Sequence, residues 1–448
     1  MSKESAATEP SSRYKPYPKY RSSDVEWLGE VPAHWEVKRL KFVAYIEAGQ
    51  SPPSDLVTDG TNGLPFLQGN ADFGPLNPKP RQICDEAPKR AYSGAILLSV
   101  RAPVGAMNMA DQDYGIGRGL CAISPGRVLD SRFAFYFLSI SRRQLDAVAT
   151  GSTYDAVSTQ RVGDLPTLLP EYPEQDTIGV FLDRETAKID ALVAKKEKLI
   201  ELLKEKRAAF ITQAVTKGLD PTAPMKDSEI EWIGEIPVDS KTEKLKYLVK
   251  DGLVNGLFKK KEQFGTGVKL INVVDLYEDN FLINFDALEY VETDQEELAT
   301  FQVSPGDIFF VRSSLKREGI GSSACVATVL EPAVFECHLV RVRPSLARIR
   351  PRYLVYYLNS YLVRQRLIAL AETTTMTTIA QPQLASLEIV VPCDKEQDAI
   401  VAHLDRESSK FEVLIAKVRD AIERLKEYRT ALISAAVTGK IDVKKEVA

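Results

Sequence analysis

Lys259, Lys260 and Lys261 follow a glycine-bearing segment, NGLFKKK, and Lys316-Arg317 follows Arg312-Ser313-Ser314. Arg341, Arg343, Arg348, Arg350 and Arg352 crowd the stretch behind them. Nearer the N-terminus, Arg101 opens RAPVG, and Arg118 sits between Gly117 and Gly119, where another backbone can come close. Two hydroxyl-rich runs occupy matching places: GSTYDAVST at 151–159, with Ser152 and Thr153, and TTTMTT at 373–378, with Thr374 and Thr375. Lysine and arginine neutralise phosphates, the arginine fork matches the guanine edge, and hydroxyls donate to phosphate oxygens. Each residue alone reads as a solvated charge or a turn hydroxyl. Placed in both halves of the chain, they form a vocabulary for contacting nucleic acid.

The groups that make and break bonds are sparse. No G-x-x-x-x-G-K-[ST] phosphate loop is present, and YGIGRGL (114–120) does not match a G-x-G-x-x-G that opens a helix. The N/D-P-P-Y/F motif of adenine methyltransferases is missing, SPPSD at 51–55 being a loop. His34, His338 and His403 are isolated, and Cys337-His338 is adjacent rather than spaced like metal ligands, so no metal site is expected. Five cysteines without a C-x-x-C pair read as free thiols in a reducing compartment. No signal-peptide core and no run of about 18 apolar residues is found, which predicts a cytoplasmic protein without a membrane partner. The net charge of −4 does not advertise a nucleic-acid binder, but it leaves room for local basic clusters. At 448 residues the chain is long enough for two to four domains.

What must position these residues is a duplication. SDVEWLGEVP at 23–32 returns as SEIEWIGEIP at 228–237, and RLKFV at 39–43 as KLKYL at 244–248. A longer block, 170–220, matches 392–442: E-Q-D, L-D-R-E, L-x-A-K and A-V-T recur in step. Between the blocks GAILLSVR (94–101) parallels GDIFFVR (306–312), and SRFAFYFLS (131–139) parallels PRYLVYYLN (351–359). A self-similarity of this length is an internal repeat of one structural unit. Two readers of different specificity and two neutrally diverged halves both fit this pattern.

The repeated blocks carry coiled-coil grammar. One apolar seam runs Leu182, Ile189, Leu203 and Phe210, with Ile178, Leu192 and Leu199 three or four residues off it. The other runs Leu404, Phe411, Val418, Leu425 and Leu432, with Ile400, Leu414 and Ala421. Glu185 and Glu407 hold the same place in both and could fix register. About 40 helical residues make a rod of roughly 60 Å; two matching rods would pack on each other, and an antiparallel pair is favoured. The modules between them carry short β-like runs such as GAILLSV, DIFFV, HLVRV and LEIVV. The expected fold is therefore α+β, with two tandem α/β modules separated by two long coiled-coil helices and related by a pseudo-two-fold. Its borders are a disordered tail at 1–20, modules at 21–168 and 221–390, helical regions at 169–220 and 391–442, and a tail at 443–448.

With W-L-G-E-V-P near the start, G-A-I-L-L-S-V-R-A-P-V-G, I-G-R-G-L, and E-Q…L-D-R…A-V-T-G-x-I-D closing each half, the chain resembles the specificity subunit of type I restriction–modification systems. The resemblance implies two target-recognition domains, each reading one half of a bipartite site in double-stranded DNA. It implies that the helices dock two modification subunits, which hold S-adenosylmethionine, while restriction subunits use ATP and Mg. This chain would bind no cofactor and carry no catalytic residue. The departures are Ser240 in place of Trp35, no counterpart of RAPVG after Arg312, and A-V-T-K in place of A-V-T-G at 214–217. A coiled-coil scaffold whose two modules bind something other than DNA is the alternative.

Overall fold

The structure, a computed structural model, describes residues 13–60, 63–141, 144, 157–373 and 375–446. The chain divides into two compact units, one running to Lys196 and resuming at Asp420, the other spanning Glu197–Arg419. The division falls inside the two long helices, Tyr172–Lys217 and Asp394–Val437, so each unit takes part of both.

Each unit is built on the same four-stranded antiparallel sheet. In the first its order is Met107–Met109, Ile96–Ser99, Leu120–Pro125, Ala44–Ala48. In the second it is Ser323–Cys325, Ile308–Val311, Leu339–Pro344, Val249–Asn255. The central strands are apolar at successive positions because both faces are covered. Ile96 and Leu98 enter one core and Leu97 another, just as Ile308 and Phe310 separate from Phe309 and Val311. A second sheet in each unit contains a parallel pair, Leu64–Leu67 with Tyr114–Ile116 and Phe264–Ile271 with Ala333–Phe335.

The long helices run antiparallel within each unit. In the first, Arg429 Nε donates to Asp190 Oδ1 at 2.9 Å, and Ile189 and Leu432 share a core with Val193 and Leu425. In the second, Arg207 donates to Glu412 Oε1 at 3.3 Å, and Phe210 packs on His403 and Phe411 with ring centroids 5.2 and 6.5 Å apart. The exposed Arg429–Asp190 pair contributes at most about 1 kcal/mol, and the Arg207–Glu412 pair must offset the desolvation of a buried guanidinium. Each buried Leu or Ile contributes about 1.5–3 kcal/mol, so the apolar rows decide the pairing. Leu182 and Leu404 are fully buried, Ile189 nearly so, and Leu203, Phe411 and Leu425 are half-buried. Leu192 and Leu414, expected in the seam, are instead 43% and 48% exposed, and Leu199 is exposed too. The second row lies one residue further on, at Val193, Ile200 and Arg207, and at Ser408, Ile415, Ile422 and Arg429. One residue turns a helix by about 100°, which carries those leucines to solvent. Glu185 and Glu407 do not bridge helices: each pairs with the preceding arginine and with the lysine three residues on, Arg184 and Lys188, or Arg406 and Lys410.

The repeated E-Q-D explains how helix and module lock together. Gln175, fully buried, accepts from Asp130 N at 2.8 Å and donates to Val128 O and Pro170 O. Gln397, also fully buried, accepts from Arg350 N at 2.8 Å and donates to Pro392 O. Each amide satisfies backbone groups that would otherwise be buried without partners.

The preceding glutamates diverge. Glu174 accepts from Tyr17 Oη, His34 Nε2 and Trp35 Nε1 and pairs with Lys444. Burial pushes its carboxyl up, but these donors more than offset that and hold it below the usual range. At the counterpart Glu396, burial and then Asp239 raise the carboxyl. Ser240, where the first copy has Trp35, is buried with no partner for its hydroxyl.

The expected disordered tail at 1–20 is corrected for the described residues 13–20. Tyr14 and Tyr17 are buried, Tyr14 stacks edge-on against Phe181 at 5.3 Å, and Tyr20 Oη donates to Gly439 O. Asp442 N donates to Lys15 O, and Val443 is buried in the same core. Gly439 has a φ of +71°, and a Cβ there would lie 2.3 Å from Pro32, so no other residue fits without displacement.

Two outcomes are expected. Gln175→Ala and Gln397→Ala each strand two or three buried backbone groups, and thermal denaturation should show about 2–4 kcal/mol lost in each; a loss no larger than for the exposed Asp176→Ala would contradict the anchoring role. The two glutamates should respond to pH in opposite senses. Glu174 is depressed, so its stabilisation is present above the ordinary glutamate range of about 4.3 and lost as pH falls through its folded value. Glu396 is raised, so its penalty appears as pH rises through that range. Denaturation at pH 7 should then find Glu174→Gln destabilising and Glu396→Gln neutral or stabilising, and equal losses would refute the assignment.

Candidate nucleic-acid interface

In the first unit the loops at one end of the sheets enclose a cleft of about 250 Å³ lined by Gln68, Gly69, Asn70, Ser99, Arg101, Ala102, Arg118 and Gly119. Arg101 leaves the sheet just after Ile96–Ser99, where Ser99 Oγ donates to its carbonyl at 2.9 Å and shapes the turn. Arg118 lies in the turn between Tyr114–Ile116 and Leu120–Pro125. Both arginines are exposed, and neither guanidinium has an ion pair or hydrogen bond among the described residues. The glycines beside Arg118 serve the protein's own packing: a Cβ on Gly119 would lie 2.8 Å from Gln68 O, and one on Gly117 would lie 2.7 Å from Gln68 Oε1. The backbone that comes close there is that of Gln68 and Gly69.

Guanidinium groups fork onto guanine O6 and N7, and amides pair with adenine N6 and N7. The cleft gathers two of each. Gln68 and Asn70 escaped sequence reading because F-L-Q-G-N looks like an ordinary turn. The available signal was a pair of amides flanking a glycine directly after a short strand.

The second unit distributes its candidates differently. Lys259 is only 5% exposed at its side chain and donates to Glu297 Oε2 at 2.6 Å, so it is a structural cation rather than a free one. Lys260 and Lys261 are exposed at the start of a short 3-10 turn. Lys316 and Arg317 are exposed on the loop after Ser313–Ser314, Arg317 reaching Ile368 O at 3.4 Å. Thr375 is exposed between the short strands Glu372–Thr373 and Thr377–Thr378. Ser152, Thr153 and Thr374 lie outside the described residues.

Strand register corrects the pairing of Arg101 with Arg312. Leu120 faces Ser99, and Leu339 faces Val311. Val100 N donates to Gly119 O as Arg312 N donates to His338 O. Arg312 therefore stands where Val100 does, and Arg101 corresponds to Ser313. A one-residue slip turns a side chain to the opposite face, and the half-buried Arg312 has an Nε with no partner. The arginines further on are tied up in ion pairs: Arg343 with Asp307, Arg348 with Glu243, Arg350 with Asp394 and Asp398, and Arg352 with Asp405. Arg341 is buried and donates to Gln302 O.

Glu336, Cys337 and His338 bring their donor atoms within 4.8 Å of one another. Three donors from one tripeptide fall short of the four of a structural zinc site. Burial and Glu336 also raise the Cys337 thiol, which disfavours the thiolate a metal needs. Among the described residues no helix is long and apolar enough to cross a membrane.

A profile of the type I restriction modification DNA specificity domain matches residues 32–202. Over 192 residues the chain is 33% identical to a putative type I restriction enzyme MjaX specificity subunit of Methanocaldococcus jannaschii, which covers 42% of this chain and 44% of that protein. The MjaVIII specificity subunit of the same organism is 24% identical over 423 residues, 92% of this chain and 94% of its own length. A solved chain from a study of complex assembly and conformational transition of the type I R-M system is 18% identical, with a TM-score of 0.69 over 91% of this chain and 98% of that one. At that identity the likeness speaks for the fold. Residues 32–202 thus match a type I restriction modification DNA specificity domain, and along most of its length the chain is similar to type I restriction enzyme specificity subunits.

Proposed function

We propose that this chain reads a bipartite sequence in double-stranded DNA, one half-site per unit, and carries two modification subunits to it. The observation that supports this best is the cleft of the first unit. There Arg101, Arg118, Gln68 and Asn70 converge without internal partners for the two guanidiniums, while Arg343, Arg348 and Arg352 of the second unit are held in ion pairs. Groups left unpaired at the end of a rigid sheet are pre-organised for base edges. Lys260, Lys261, Lys316 and Arg317, exposed on loops, suit phosphates, which position the protein without reading sequence.

The repeated helices and the E-W-x-G-E turns supply equivalent surfaces to two equivalent partners, in keeping with the duplication. The modification subunits hold S-adenosylmethionine and methylate adenine; restriction subunits supply ATP- and Mg-dependent cleavage. The assembly works in the cytoplasm, where host DNA is found.

Deleting the gene should erase methyladenine at one bipartite motif in the host methylome; an unchanged methylome with the modification subunits still expressed would refute the reading. The lysines should separate as well. Lys260→Ala and Lys261→Ala should each weaken binding about equally on cognate and random DNA and shallow its salt dependence by about one unit of slope. Lys259→Ala should leave that slope unchanged, because its charge is spent on Glu297. Filter binding across a salt series measures both, and a Lys259→Ala slope change matching the others would overturn the assignment.

A further inference from the structure

The strand register that places Arg101 at Ser313 also shows what stands in the second unit where the first has its cleft. Phe66 and Leu67 pair in parallel with Gly115 and Ile116, and Leu270 and Ile271 pair with Val334 and Phe335. Just beyond, Gly117 N donates to Leu67 O at 2.8 Å and Glu336 N to Ile271 O at 3.1 Å. The two frameworks therefore superpose in register. Gln68 corresponds to Asn272, Arg101 to Ser313, Arg118 to Cys337 and Gly119 to His338. The 3-10 turn that follows carries Asn70 in the first unit (Asn70–Asp72) and Val273 and Val274 in the second (Val273–Leu276). Val274 is 71% exposed.

The exchange has a direction. Both guanidinium positions of the first unit become small groups, a hydroxyl and a thiol. One amide is kept in shorter form, and the other gives way to a β-branched apolar side chain held out to solvent. A guanidinium fork selects guanine, an Asn amide pairs with adenine, and an apolar side chain contacts the thymine methyl. From this juxtaposition we infer that the two units read different base pairs at the same place on the fold. The first reads G·C through Arg101 and Arg118, and the second reads A·T through Asn272 and Val274. The inference rests on the reading of the chain as a DNA-specificity subunit and goes further, by assigning the class of base pair to named side chains in each half.

The test uses the whole complex with its modification subunits. Arg101→Ser and Arg118→Cys place the second unit's residues in the first. Arg118→Lys keeps the charge and removes the fork. Asn272→Ala and Val274→Ala probe the second unit. Methylome sequencing, with competition binding to duplexes substituted one base pair at a time, reads discrimination at every position. Competition binding also gives the answer for a variant that no longer methylates. The arginine variants, Arg118→Lys included, should lose discrimination on the order of tenfold or more at a G·C pair of one half-site and leave the other half-site untouched. Asn272→Ala and Val274→Ala should relax an A·T pair in the other half-site only. Unchanged G·C discrimination in the arginine variants, or relaxation of a G·C pair by the Asn272 or Val274 variants, would overturn the inference. A wild-type complex that shows no sequence preference would instead overturn the reading on which it rests.

Discussion

A helix of 46 residues with an apolar stripe along one side takes most of its stability from packing that stripe against a partner. Its stripe has to be covered, and in each unit the other long helix covers it by passing in the opposite direction. The same contact occurs in both units, Arg429 on Asp190 and Arg207 on Glu412, at matching places in the repeat. That reciprocity is what a duplicated helix produces when its two copies pack on each other antiparallel. It also places the C-terminal residues in the same core as the N-terminal ones, with Val443 and Lys444 against Tyr17 and Glu174. The first unit is thus assembled from both ends of the chain.

On this base the sequence divides into a framework and the loops it carries. The framework recurs in both copies because its groups are geometrically over-determined. Gln175 and Gln397 have no freedom, since each amide closes backbone groups that nothing else reaches. The strand pairings Leu120 with Ser99 and Leu339 with Val311 fix where the loops that leave those strands begin. What projects beyond those pairings is less constrained and differs between the copies. Even within the framework one exchange changes electrostatics: where His34 helps hold the Glu174 carboxyl low, its counterpart Asp239 adds to burial in raising that of Glu396.

Much of this was legible in the sequence, and the failures have physical causes. The repeat, the long helices and the central rows Leu182–Ile189 and Leu404–Phe411–Leu425 followed from spacing. Leu192 and Leu414 were misplaced because spacings of three and four are equally common on a helix face, and only the partner decides between them. Arg101 and Arg312 looked equivalent because each ends an apolar run; the hydrogen-bonded register, invisible to composition, sets them one residue apart. Lys259 read as a member of a basic run because a burying partner 38 residues away, Glu297, leaves no local mark. The N-terminal segment read as a tail because Pro, Ser and Lys outweighed three tyrosines spaced three apart, which are the residues that pack. Gln68 and Asn70 carry no charge and no motif, and only the fold brings them to the two arginines.

We propose that one framework presents two distinct reading surfaces to DNA. Hydrogen–deuterium exchange on the assembled complex, with and without its cognate duplex, tests it most directly. Protection is expected in two sets of backbone, around 68–70, 99–102 and 117–119 in one unit and around 272–274, 313–317 and 336–338 in the other. Protection limited to the long helices, or to one unit alone, would contradict it.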